Sequence, residues 1–91
     1  MTTLLRIFGS RAQTKLVQYL LGHRGRVYNQ AGLANLLGMS PSTIARIIFS
    51  LVEEGVVNYE QVSGQMKVIA LNDENEKTEA LIELYDKIKN L

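Results

Sequence analysis

The chain has no cysteine and a single histidine, His23. A disulfide framework, a thiolate metal site and a cysteine nucleophile are therefore excluded, as is a histidine-rich metal site within one chain. Tryptophan is absent, and proline occurs once, at Pro41. Apolar runs extend over only a few residues, too short for a membrane span. Arg6 interrupts the apolar stretch Met1–Phe8 and no cleavage site follows, so the N-terminus does not read as a signal peptide. Paired catalytic groups, a phosphate loop and a metal cluster are missing too, which argues against an enzyme. The expectation is a cytoplasmic protein with no cofactor and no membrane partner.

Acidic residues are missing from the whole first half. Residues 1–52 hold Arg6, Arg11, Lys15, Arg24, Arg26 and Arg46 and no acid, a local charge of +6. Residues 53–91 hold four lysines against nine acids, a local charge of −5. The net charge of +1 hides this asymmetry. It suits a polyanion-binding front and an acidic rear, although two ordinary solvated faces would look the same.

What remains is globular in composition: 91 residues, 46% hydrophobic and 21% charged. The length suits a single domain over residues 1–91. A core of that size is marginal alone, so a second chain often completes it.

Hydrophobic periodicity orders the chain. A first full helix covers residues 11–22, with Ser10 as N-cap and apolar Ala12, Leu16, Val17, Tyr19, Leu20 and Leu21. Arg26-Val27-Tyr28 is a short extended stretch. A helix-turn-helix follows over about 30–54, with Ala31, Leu33, Ala34 and Leu37 inward, Gly38 at the turn, Ser40 as cap and Pro41 at the first helical position. Residues 56–71 alternate as a β-hairpin around Ser63-Gly64. Asn72-Asp73 is expected to cap a last helix over about 74–90.

The second helix of the helix-turn-helix divides cleanly. Ile44, Ile48 and Leu51 form a buried face, while Ser42, Arg46 and Ser50 point the other way, flanked by Thr43 and Phe49. Small polar residues around one guanidinium suit entry into a major groove, where Arg reaches guanine O6 and N7. Phe49 is expected in a core or interface rather than against a thymine methyl. His23 reads as a helix-end residue, and Glu53 and Glu54 as solvated.

The run Leu33-Ala34-Asn35-Leu36-Leu37-Gly38-Met39-Ser40-Pro41-Ser42-Thr43-Ile44-Ala45-Arg46 resembles the core of winged helix-turn-helix regulators. Leu51-Val52-Glu53-Glu54-Gly55-Val56-Val57 is similar to the link from recognition helix to wing in ArsR-like and MarR-like families. Phe8-Gly9-Ser10-Arg11-Ala12 resembles the start of the first full helix in small archaeal-type members. The resemblance implies an α+β winged helix-turn-helix whose hairpin is the wing. It implies contacts to double-stranded DNA from Ser40, Ser42, Thr43, Arg46 and Ser50. The wing departs from the usual pattern in carrying Lys67 alone, so phosphate anchoring leans on Arg24, Arg26 and Lys67. Metal sensing is not implied, because the ligating Cys and His are missing.

Leu81, Leu84, Tyr85, Ile88 and Leu91 recur at three- and four-residue steps in the last helix. With Leu4, Leu5 and Phe8 from the N-terminus, Leu81, Leu84, Tyr85 and Ile88 are the expected interface of a homodimer, though the last helix could instead pack on its own domain. The reading favoured is a dimeric, sequence-specific transcription regulator, a repressor, on a pseudo-palindromic operator. The alternative is a winged helix that binds proteins in transcription, replication or segregation machinery and reads no bases.

Overall fold

Each helix begins where a small polar side chain can satisfy free backbone N–H groups. The computed structural model describes residues 8–64 and 66–91. Helix α1, Arg11–Gly22, starts at Ser10, whose side chain accepts from the Gln13 N–H at 3.0 Å. Asn29 caps α2, Gln30–Leu37, by accepting from the Gly32 N–H at 2.6 Å. Ser40 caps α3, Pro41–Glu53, by accepting from the Thr43 N–H at 3.2 Å. Pro41 stands at the N-terminal end of α3, where a missing N–H leaves no bond unmade.

Strands β1, Val57–Ser63, and β2, Met66–Leu71, pair antiparallel. Val57 faces Leu71, Tyr59 faces Ile69 and Gln61 faces Lys67, with a register shift between Gln61 and Ser63. Tyr28 adds a bridge to the far side of β2, exchanging both backbone bonds with Ile69 at 2.9 and 2.6 Å. The extended stretch before α2 is thereby sewn to the wing. The chain ends in α4, Glu76–Lys89, with acids in its first turn and lysines in its last, both favourable to the helix dipole. The architecture is α+β, a winged helix-turn-helix.

The core gathers one side from every helix. Leu16, Val17 and Leu20 of α1 meet Leu33 and Leu37 of α2, Ile44, Ile48 and Leu51 of α3, and Val56, Val57 and Ile69 around the hairpin. Burying one such side chain is worth roughly 1.5–3 kcal/mol. Ile47 is buried as well, so the inward stripe of α3 is wider than three residues suggested. Ala31, expected inward, is exposed, because α2 turns only its Leu33, Ala34 and Leu37 side to the core.

Three expectations at the rear of the domain need correction. Asn75, not Asn72-Asp73, caps α4: its side chain accepts from the N–H groups of Lys77 and Thr78 at 2.8 and 3.3 Å. Asn72 is occupied elsewhere, donating its side-chain amide to the Gly55 carbonyl at 3.1 Å. Glu54 is buried rather than solvated, and Lys77 Nζ lies 2.9 Å from its carboxylate. Leu81 is only 5% exposed and belongs to the domain's own core. Thr78, fully buried one turn earlier, donates to the Val56 carbonyl, so this side of α4 faces inward.

Gly55 makes the junction between α3 and β1 possible. Its φ of 80° is left-handed, and a Cβ there would lie 2.5 Å from Asn75 Nδ2. The end of α3 and the cap of α4 thus share one tight corner. Asn75→Ala should cost about 1 kcal/mol, lowering Tm by about 4–8 °C in a domain of this size. Asp73→Ala, whose side chain has no partner among the described residues, should leave Tm unchanged in the same thermal unfolding experiment.

Candidate nucleic-acid interface

Gly38 closes α2 in a left-handed conformation, φ 67°, a position where a side chain would be strained. The chain then turns through Met39 and Ser40, and α2 and α3 meet at a bend of 112°. That lies in the range of about 90–120° found in helix-turn-helix pairs. Because Ile44, Ile47, Ile48 and Leu51 are buried, the opposite side of α3 is presented outward.

At the start of α3 three hydroxyls form one cluster. Ser40 Oγ donates to Thr43 Oγ1 at 2.9 Å and lies 3.2 Å from Ser42 Oγ. Ser40 is held chiefly as a cap, while Ser42 is exposed and Thr43 half-buried. One turn on, Arg46 is exposed and has no hydrogen-bond or ion-pair partner among the described residues. Ser50 is half-buried at the far end. Phe49, expected in a core or an interface, is 67% exposed and so lies outside the core.

The wing is tied to this helix by a relay absent from the sequence reading. Tyr59 Oη donates to Gln30 Oε1 at 3.3 Å, and Gln30 Nε2 donates to the Pro41 carbonyl at 3.3 Å. Lys67 Nζ stands 5.5 Å from the centre of the Tyr59 ring, a cation–π distance. Strand alternation carries the only signal: Tyr59 falls on the same face of β1 as Val57, toward the helices, although its ring stays 39% exposed. The first turn of α3, the start of α2 and the wing lysine therefore form one continuous polar surface.

The cations divide into free and engaged. Arg26 and Arg11 are exposed without partners among the described residues. Lys15 Nζ donates to the Leu37 carbonyl at 2.9 Å, closing the negative end of α2. Arg24 is turned away from a role as a free phosphate anchor. Its guanidinium donates to the Leu21 carbonyl at 3.0 Å and to both Asp86 carboxylate oxygens at 3.2 and 3.3 Å. The cause is the packing of α4 beside the end of α1, which brings an acid within reach. His23 is the helix-end residue expected, the C-cap of α1. It stacks on Tyr19 with ring centres 4.1 Å apart and sets Nδ1 2.9 Å from the Tyr19 carbonyl. Burial, and after it Tyr19, pushes the Tyr28 phenol above its ordinary range against the opposing charge of Arg26.

The terminal elements meet in an apolar groove of about 380 Å³ between α1 and α4, lined by Phe8, Leu21, Leu81, Leu84, Tyr85 and Ile88 among others. Phe8 is held there by its carbonyl, which accepts from Thr14 Oγ1 at 3.3 Å. Leu84 and Ile88 stay exposed, whereas Leu81 closes the floor. Leu4 and Leu5 lie outside the described residues. Among the described residues no group of three or more His, Cys, Asp or Glu could hold a metal ion, and no single helix is long and apolar enough to cross a membrane.

A bent helix pair with a solvent-facing second helix and a hairpin tied to its start defines a winged helix-turn-helix DNA-binding domain. Residues 3–61 match the IclR helix-turn-helix domain, and the chain belongs to that family. The match covers α1, the helix-turn-helix and β1 as far as Gln61. A comparison with curated proteins finds no match.

Among solved structures, HlyU from Vibrio cholerae superposes with a TM-score of 0.74 at 20% identity, over 99% of this chain and 91% of that one. The transcriptional repressor PagR of Bacillus anthracis gives 0.69 at 20% identity, over 91% of this chain and 87% of PagR. MepR, a transcription regulator of a Staphylococcus aureus multidrug efflux pump, gives 0.68 at 19% identity, over 98% and 67%. A MepR mutant bound to an oligodeoxyribonucleotide also gives 0.68, at 20% identity over 89% and 58%. At these identities the likeness is one of fold.

The Arg24–Asp86 pair is two-fifths exposed on both sides, so it should contribute little stability. A double-mutant cycle with Arg24→Ala and Asp86→Ala, read by urea unfolding, should give a coupling of about 0.2–1 kcal/mol that shrinks with added salt.

Proposed function

We propose that this chain is a transcription regulator that binds a specific double-stranded DNA sequence through α3, acting as a repressor by occupying an operator. The observation that carries the reading is Arg46: an exposed, unpaired guanidinium on the outward side of a helix whose inner side is locked in the core. Desolvating a free guanidinium against guanine breaks no existing ion pair. Ser42 and Thr43 at the first turn, with Ser40 behind them, are placed for phosphate or base-edge contacts, and Ser50 for the far flank. Arg26 and Lys67 supply phosphate anchors, Lys67 from the wing. The structures of PagR and of DNA-bound MepR support this by fold.

A homodimer completes the reading, with residues 1–91 acting as one unit in each protomer. Phe8, Leu84, Tyr85 and Ile88 form an apolar surface at one end of the domain. A two-fold axis there would present two copies of α3 to half-sites about one helical turn apart. The alternative, a protein-binding winged helix, draws on the small number of free cations. It predicts no sequence preference on DNA.

Selection from a random duplex pool followed by gel shift with competitor DNA tests the proposal. Enrichment of a palindromic sequence is expected, and absence of any enriched sequence would sink it. On the selected site, Arg46→Ala should weaken binding by about 1–3 kcal/mol while the circular dichroism spectrum and Tm stay unchanged. Affinity should fall with salt along a shallow line, at about −0.9 in slope per phosphate neutralised.

Leu84→Asp combined with Ile88→Asp should produce folded monomers by sedimentation. Affinity for the full site should drop toward that for a half-site, because linkage between the two is lost. Wild-type protein that sediments as a monomer at micromolar concentration yet binds one operator tightly would overturn the dimer.

A further inference from the structure

Phe49 is a large apolar side chain on the outward face of α3 with no place in the domain. It is 67% exposed, more than any other large hydrophobic among the described residues except the terminal Leu91 at 103%. It stands neither in the core nor among the residues packed against it. Around the helix Phe49 lies about 20° from Ser42, about 40° from Ala45 and about 60° from Arg46, at 100° per residue. It is therefore central to the same face as Arg46, rather than at its edge.

Resting on the DNA-binding reading above, we propose that Phe49 reads a base, seating its ring on the 5-methyl group of a thymine in the major groove. The groove offers two features that this face can distinguish: O6 and N7 of guanine for a guanidinium, and the thymine methyl for an apolar side chain. Arg46 and Phe49 stand about 4.5 Å apart along the helix axis and about 60° apart around it, so one turn of the helix presents a guanine reader and a thymine reader to the same half-site. Charge complementarity favours a phosphate-walled groove over a protein partner as the occupant of this face: residues 1–52 carry six cations and no acid, and Arg46, one turn before the ring, has no partner among the described residues. Glu53, one turn after the ring and the last residue of the helix, is the acid that bounds this face.

The test uses the full chain and a duplex selected from a random pool. Each thymine is replaced in turn by deoxyuridine, which removes only the methyl. One position in each half-site should lose about four-fold in affinity, the value of one buried methyl-sized group. Phe49→Ala should bind the parent duplex more weakly and be indifferent to deoxyuridine at that position. The exposure of Phe49 predicts an unchanged circular dichroism spectrum. If every thymine can be replaced without loss, or if Phe49→Ala keeps the same methyl dependence, the assignment of Phe49 is overturned. Selective binding that still requires Arg46 would then leave the DNA reading standing. Phe49→Ala binding as tightly as wild type also overturns it and leaves the ring to a protein partner. If selection yields no preferred sequence, both readings fall together.

Discussion

Burial of Ile44, Ile47, Ile48 and Leu51 along one side of α3 is the constraint on which the rest of the molecule depends. Four branched aliphatic side chains are worth several kcal/mol when buried, and rotating the helix to expose them would forfeit most of that. The rotation of α3 about its own axis is therefore fixed by the core. Its outward residues, Ser42, Ala45, Arg46 and Phe49, are displayed as a consequence. The polar contacts set what hydrophobic burial leaves open. Gly38 provides the left-handed turn, Ser40 fixes where the helix starts, and the Tyr59–Gln30–Pro41 relay sets the wing beside that start.

The same logic applies at the rear, where α4 serves two purposes on two sides. Thr78 and Leu81 bind it to the domain, while Leu84 and Ile88, one and two turns further, remain in water. The helix is anchored at its N-terminal half by Asn75, by the Lys77–Glu54 pair and by the Thr78 bond to Val56. Its C-terminal half projects an apolar ridge beside Phe8 and Tyr85. An apolar repeat read only as spacing merges these two roles. Depth separates them: Leu81 is buried in the domain, whereas Leu84 and Ile88 are exposed.

How much of this was legible in the sequence follows from which interactions are local. Ser10 and Ser40 with Pro41 act within three residues of themselves, and each stands where the pattern placed it. The alternation of Val57, Tyr59 and Ile69 likewise fixed the hairpin. Asn72 and Asn75 are chemically equivalent as caps, and the choice between them was made by a distant group: the Gly55 carbonyl claims Asn72. Arg24 was read as free because Asp86 is 62 positions away in the chain and beside it only in the fold. Phe49 was expected in a core or an interface because it is apolar, and the wider buried stripe that includes Ile47 rules out the core by turning it outward.

These corrections change the balance of forces on the candidate interface. Removing Arg24 from the free cations and tying Lys15 to the end of α2 leaves Arg11, Arg26, Arg46 and Lys67 as the described side chains of the basic half and the wing that can meet phosphate or base. Electrostatic attraction, which is indifferent to sequence and steep in salt, is then a smaller share of binding than in a strongly basic domain. On the proposed reading, the remainder comes from contacts that depend on base identity and from linkage of two half-sites, neither of which requires many charges. For the proposed dimer, a modest count of free cations, an outward Phe49 and exposed Leu84 and Ile88 suit a module that relies on shape and symmetry more than on charge.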